Sequence, residues 1–77
     1  MKETTLRQLL NITRAAAASE KQSQARYARG VKLAVNPSVR QFFRGLQREE
    51  KGHEIKLKRK YKELETQLKL VIKCKCA

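Results

Sequence analysis

The sequence is poor in the residues that break or cross-link a chain. It contains one proline, three glycines, no tryptophan and no aspartate in 77 residues. Proline and glycine are the strongest markers of turns, so their scarcity argues against many short elements and favours a few long ones. The sequence also lacks a run of about 18 apolar residues, so we expect no membrane-spanning helix.

Cysteine is scarce and confined to the last four residues, where Cys74 and Cys76 are separated by one residue. This spacing is poor for a structural disulfide, and two thiols are too few for a disulfide scaffold. Met1–Thr5 leads into an amphipathic segment without an apolar core, which is not the pattern of a secretory signal. We therefore expect a cytoplasmic protein whose residues 74–77 form a frayed tail.

The charge is strongly one-sided, with 19 lysines and arginines against seven acidic residues, all glutamate, and a net charge of +12. Such a balance suggests an acidic partner, such as nucleic acid or a negatively charged shell, although a solvated basic surface fits equally well. A chain this short buries only a small core on its own. We therefore expect a homodimer or a higher homo-oligomer.

Apolar and small residues recur at three- and four-residue steps through the first half of the chain, which predicts a helix over about residues 5–35. Thr4 and Thr5 are candidate N-caps. Glu20 interrupts this stripe as the only carboxylate between Glu3 and Glu49. The stripe consists of Leu6, Leu9, Leu10, Thr13, Ala16, Ala17, Glu20, Gln24, Tyr27, Val31 and Ala34.

Asn36-Pro37-Ser38 is the one strong break, because proline cannot continue a helix and suits the first turn of the next. It predicts a turn at 36–38 and a second helix over about 38–73. The sequence therefore predicts a single all-α domain over 1–77, an antiparallel helical hairpin. The second stripe consists of Val39, Phe42, Phe43, Leu46, Glu50, His53, Leu57, Tyr61, Leu64, Leu68 and Val71. A lone hairpin exposes half of this seam, so we expect two hairpins to close into a four-helix bundle.

Two carboxylates, Glu20 and Glu50, and the imidazole of His53 fall within these apolar stripes, so we predict that all three side chains point inward. Glu50 and His53 are three residues apart on one helical face. Glu20 lies about 16 residues before the turn and Glu50 about 13 after it, so the rise per residue puts them at similar height. Doubling the hairpin brings four glutamates and two histidines into one layer. This is the ligand set of carboxylate-bridged two-metal bundles, in which two helices give a Glu and two give Glu-x-x-His.

The residues that carry this pattern also carry a family resemblance. The chain resembles the rubrerythrin branch of the ferritin-like superfamily, and the separation of Glu20 from Glu50 is similar to that of the encapsulated ferritins, whose two-helix chains pair to build a metal site. The resemblance rests on Glu20, Tyr27, Pro37, the segment 39–46, Glu49-Glu50 and His53.

The resemblance implies a role for each residue of the site. Glu20 becomes a terminal carboxylate ligand, Glu50 a bridging one and His53 a nitrogen ligand, while the hydroxyl of Tyr27 hydrogen-bonds a ligating carboxylate. Oxygen-rich ligation with one imidazole per metal suits iron, two per dimer, with manganese as the alternative. An encapsulating shell is a further partner that the resemblance implies.

The family offers two activities, oxidation of iron for storage or detoxification and reduction of peroxide. Rubrerythrins carry a four-cysteine electron-transfer module that this sequence lacks, so we favour the ferroxidase. The rival hypothesis is a non-enzymatic basic helical adaptor that binds nucleic acid or another helical protein. Glu49 and Glu54 lie off the main stripe, and we predict both on the solvated surface. The run 56–62 reads first as a solvated basic face, with phosphate binding as the alternative.

Overall fold

Two long helices account for nearly all of the chain. The computed structural model describes residues 2–76, with side chains described as far as Cys74, and contains α1, Glu3–Leu33, and α2, Pro37–Cys76. The described residues include no strand. The helices pack antiparallel along their whole length and form a rod of 62 × 14 × 13 Å. The predicted all-α hairpin is confirmed, and the structure describes a single hairpin.

Local hydrogen bonds hold both ends of the short connection between the helices. The Ala34 N–H donates to the Gly30 carbonyl and closes α1. The Asn36 Oδ1 accepts a hydrogen bond of 2.7 Å from the Ser38 N–H, which caps the start of α2. Pro37 occupies the first helical position, where its missing N–H costs nothing. Arg40 reaches back and donates to the Ala34 carbonyl over 3.1 Å.

The first helix begins earlier than its sequence suggested. α1 starts at Glu3, and its N-cap residue, Lys2, has no side-chain cap hydrogen bond. The Leu6 N–H donates to the Lys2 carbonyl, so Thr4 and Thr5 already lie inside the first turn. The prediction that one of these threonines caps the helix is wrong.

The other boundaries differ by a few residues. α1 ends at Leu33 where the sequence suggested about 35, and the turn occupies residues 34–36. α2 continues through Cys76, so the predicted tail does not begin at Cys74, which is helical with an exposed free thiol. The Cys76 side chain and Ala77 lie outside the described residues. Neither helix, over the described residues, has a stretch long and apolar enough to cross a membrane.

The apolar core lies at the open end of the hairpin, far from the turn. Leu6, Leu10 and Leu64 are buried there, and four partly buried side chains pack around them: Leu9, Tyr61, Leu68 and Val71. Full burial of a leucine side chain contributes about 1.5–3 kcal/mol. So small a core fits the expectation that the hairpin covers more apolar surface by assembly.

Near the turn the helices approach closely at Gly30. A Cβ placed on Gly30 would lie 2.7 Å from Cγ and Cδ1 of the Phe43 ring. The missing side chain therefore makes room for the ring. Phe43 also packs edge-on against Phe42, with ring centroids 5.5 Å apart. Between this contact and the leucine core lies the layer that holds Glu20, Glu50 and His53.

Candidate metal centre

The fold brings together the three residues that the sequence singled out. Glu20 lies in the middle of α1, and Glu50 and His53 lie about one helical turn apart on α2. Each offers one ligand atom, and the three atoms lie within 4.8 Å of one another. Glu20, Glu50 and His53 thus lie at one height along the antiparallel hairpin, as the position of the turn and the rise per residue predict.

The distances suit a shared cation better than direct hydrogen bonds. His53 Nδ1 lies 3.6 Å from Glu20 Oε2 and 3.9 Å from Glu50 Oε1. Both separations are longer than a normal hydrogen bond. Ligand atoms that each lie about 2.1 Å from one metal ion are roughly 3–4.2 Å apart, so both distances fall within that range.

A second observation tests whether these residues fit a metal. Glu20 Oε2 is buried and has no hydrogen-bond partner among the described residues. A carboxylate oxygen withdrawn from water costs free energy unless a donor or a cation compensates it. The unsatisfied oxygen faces the imidazole of His53, so the position that a cation would fill is the position where the ligand atoms converge.

The imidazole is less buried than its place in the apolar stripe suggested. The side chain of His53 is 56% exposed, whereas Glu20 and Glu50 are 22% and 20% exposed. The expectation that His53 points fully inward is wrong for the single hairpin. The trio opens sideways to solvent along one face of the helix pair.

Glu54 occupies the inward position that the prediction gave to its neighbour. It is 8% exposed, so the prediction of a solvated Glu54 is wrong, whereas Glu49 is exposed as predicted. Gln24 Nε2 donates to Glu54 Oε1 over 2.9 Å, and Lys58 Nζ lies 3.1 Å from Oε2. The hydrogen bond from Gln24 and the contact with Lys58 lower the pKa of Glu54 below its ordinary value of 4.5.

The pairing of Gln24 with Glu54 can be inferred from the sequence, although the three- and four-residue steps alone do not identify it. From Glu50 the seam can continue through His53 or Glu54, because both lie near the same helical face. Gln24 was already in the inward stripe of α1, and a buried amide needs a partner. Glu54 is that partner, so counting donors and acceptors across the hairpin finds it.

Tyr27 lies one heptad after Glu20, about 10 Å farther along the helix. It is partly buried, and over the described residues its hydroxyl makes no hydrogen bond to Glu20, Glu50 or His53. Long side chains in a helix point toward its N-terminus, which directs Tyr27 toward the trio. Its hydrogen bond to a ligating carboxylate stays a prediction.

The trio lies on one flank of the helix pair, which we call the metal face. Since a helix turns about 100° per residue, positions three, four and seven residues from Glu50 fall on the same side. Phe42 and Val39 lie 11 and 14 residues before His53, about three and four helical turns, so they share its side of α2, and they are 61% and 43% exposed. The metal face therefore combines unsatisfied carboxylate chemistry with uncovered apolar surface.

Comparison with known proteins identifies the family. The rubrerythrin family model matches residues 4–76, nearly the whole chain and all of the candidate metal centre. Searches of curated proteins and of solved structures found no match. The match agrees with the resemblance carried by Glu20, Glu50 and His53. The chain therefore belongs to the rubrerythrin family, within the ferritin-like superfamily.

Proposed function

We propose that two copies of the hairpin pair through their metal faces and that the pair binds two iron ions and oxidises ferrous iron. The observation that carries this proposal is the unsatisfied Glu20 Oε2, which is buried 3.6 Å from His53 Nδ1. Rubrerythrin-family proteins usually bind iron, which supports the choice of metal. Manganese suits the same oxygen-rich ligands.

Pairing is proposed because one hairpin supplies half of a two-metal site. Its three ligands come from two helices, whereas the di-metal carboxylate bundles use four helices, with four glutamates and two histidines. A two-fold axis through the metal face sets a second trio opposite the first. The same contact covers Phe42 and Val39, which are neighbours three residues apart on α2 and are both exposed in a single hairpin.

Each residue of the trio has a distinct task in this proposal. Glu20 would hold one metal through its unsatisfied oxygen, and Glu50 would act as the bridging carboxylate. His53 would supply a neutral ring nitrogen, the form that binds metal. Ferrous iron held there would supply one electron per ion, so a pair of ions would reduce dioxygen to hydrogen peroxide or hydrogen peroxide to water.

The 77 residues hold two cysteines, whereas a rubredoxin-type centre takes four thiolates, and this favours iron oxidation over peroxide reduction. Iron is then both substrate and electron source. Peroxide reduction uses the same ligands, and comparing dioxygen with hydrogen peroxide as the oxidant separates the two activities.

The test combines metal content, mass and activity of untagged protein. We expect a dimer or a multiple of it, with about one iron per chain, as the two-metal pattern requires. Glu50→Ala should lower the rate of iron oxidation at least about 100-fold, since loss of even an indirect metal contact costs 10–100-fold. Glu49→Ala is the matched control, because Glu49 is the adjacent exposed glutamate.

Normal iron oxidation by Glu50→Ala would end the proposal. Equal losses in the two variants would also count against it, because they would show an effect of overall charge. Protein that binds no stoichiometric metal would favour the basic adaptor. For that outcome we would expect salt-sensitive binding to polyanions without any dependence on Glu50.

A further inference from the structure

Eight of the 19 lysines and arginines lie on the flank opposite the metal face. Counting about 100° per residue from the inward Glu54, His53 turns to one side and Lys58 to the other. On α1, Glu20 and Arg14 flank the inward Ala17 in the same way. We call this second flank the basic face, and it carries Arg7, Arg14, Lys21, Arg44, Lys51, Lys58, Lys62 and Lys69.

These cations follow a regular spacing. Arg7, Arg14 and Lys21 are seven residues apart on α1. Arg44, Lys51 and Lys58 repeat the spacing on α2, as do Lys62 and Lys69. Seven residues are almost two helical turns, so each step advances about 10.5 Å along the same flank. The basic face therefore carries two short cation ladders, one on each helix, and Glu65 occupies the position seven residues after Lys58 on α2.

The two ladders border the same side of the hairpin. Arg7 and Arg14 of α1 line one shallow groove together with Lys69 of α2. Arg14 also lines the next groove, which it shares with Lys58 and Lys62. Glu65 also lines both grooves, so the basic face spans the two helices with one carboxylate among its cations, away from the layer of Glu20, Glu50 and His53.

Most cations of this face are not neutralised within the chain. Arg7 pairs with Glu3, and Lys58 pairs with Glu54. Among the described residues, the other six exposed cations of the basic face form no ion pair: Arg14, Lys21, Arg44, Lys51, Lys62 and Lys69. A row of unpaired charges repels itself, and a partner that carries regularly spaced anions removes this repulsion.

The apolar and aromatic residues of the basic face limit the class of partner that it can bind. A protein interface needs a desolvated apolar core, but exposed Ile55 and Ile72 on this side are 17 residues, about 25 Å, apart. Single-stranded nucleic acid is bound by stacking on aromatic rings. Tyr61 is the aromatic residue of these grooves, and the Arg14 guanidinium covers its ring at 5.5 Å from the centroid. Binding to the phosphates of a duplex requires neither an apolar interface core nor aromatic rings for stacking.

We infer that the basic face binds the phosphate backbone of double-stranded DNA without reading its sequence. Three base-pair steps of about 3.4 Å advance nearly as far along a duplex as one step of the ladder. This inference concerns the flank opposite the proposed iron site and does not depend on iron oxidation. It also gives a role to eight of the 19 lysines and arginines, which the metal centre leaves unexplained.

The experiment measures binding to a labelled duplex of about 30 base pairs by fluorescence anisotropy across a salt series. A triple variant, Arg44→Gln, Lys51→Gln and Lys62→Gln, removes three exposed cations of the basic face. The matched control, Arg26→Gln, Lys56→Gln and Lys60→Gln, removes one arginine and two lysines from exposed positions elsewhere. Circular dichroism verifies that both variants keep their helix content.

Wild-type affinity should fall steeply with salt, by a slope of about −0.9 per phosphate neutralised. The basic-face variant should lose about 2–3 from the magnitude of this slope and at least tenfold in affinity, while the control stays within about threefold. Lys51→Gln alone should reduce the slope by about 0.9. The iron content of the basic-face variant should equal that of the wild type.

Three results would overturn the inference. Failure of the wild-type protein to bind the duplex would refute the inference directly. Equal losses in the two triple variants would show that net charge matters rather than this face. Equally tight binding of polyglutamate or duplex RNA would show that the face accepts any polyanion or a different nucleic acid.

Discussion

The contact between Gly30 and Phe43 allows one substitution to be worked through in detail. Gly30→Ala would place a methyl group 2.7 Å from two ring carbons of Phe43. Unstrained carbon contacts are about 3.5–4.0 Å, so the ring or the helices must move by roughly 1 Å. The ring cannot escape by turning about its own axis, because one of the two atoms is Cγ.

Two opposing terms set the size of the effect on the free energy of unfolding. Alanine favours a helix interior over glycine by about 1 kcal/mol. Overpacking costs about 1–3 kcal/mol, so we expect Gly30→Ala to be net destabilising by about 1 kcal/mol. A Cβ on Gly45 meets nothing within 4 Å, so Gly45→Ala should stabilise α2 by about 1 kcal/mol.

Thermal unfolding of the metal-free protein, followed by helical circular dichroism, measures this difference. The variants are compared at one protein concentration, because assembly couples stability to concentration. In a domain of this size 1 kcal/mol shifts Tm by about 4–8 °C, so Gly45→Ala should melt about 10 °C above Gly30→Ala. Equal Tm values would show that the helices absorb the methyl group without cost and that the close approach does not constrain them.

Three further expectations concern assembly, acid stability and the site. Phe42→Lys should convert the pair to single hairpins in sedimentation, whereas Ile55→Lys on the other flank should leave the mass unchanged; no change in either variant would refute pairing through the metal face. Because the pKa of Glu54 is lowered from 4.5, its contribution to stability is present above pH 4.5 and is lost as pH falls through the lower folded-state value. Gln24→Leu removes the main cause of that lowering, so stability at neutral pH should fall while its loss in acid becomes shallower, as urea titrations across this range would show. Tyr27→Phe should slow iron oxidation several-fold at unchanged iron content, and an unchanged rate would exclude the hydroxyl from the site.

The long-range geometry of the trio could be predicted because it depends on few quantities. One break at Pro37 and a fixed rise per residue place Glu20 opposite Glu50, and errors of two or three residues at the helix ends do not change their relative height. An error of two or three residues does, however, change which residue is assigned as the cap of a helix. Thr4 and Thr5 were predicted as caps because of their chemistry, but α1 begins before them.

The exposure of single side chains could not be predicted in the same way. His53 and Glu54 are adjacent, and steps of three and four residues are compatible with either of them on the inward track. The opposing Gln24 decides the choice, because burying Glu54 gives both groups a hydrogen bond. Which of the two side chains is buried therefore depends on a contact between the helices, and the periodicity of one helix gives no information about that contact.

The arrangement of two unlike flanks on one pair of helices has a consequence for valency. If metal faces meet at a two-fold axis, the basic faces of the two copies point outward in opposite directions. Such a pair would be bivalent and could bridge two separate duplexes, with the second contact strengthened by effective concentration rather than by new chemistry.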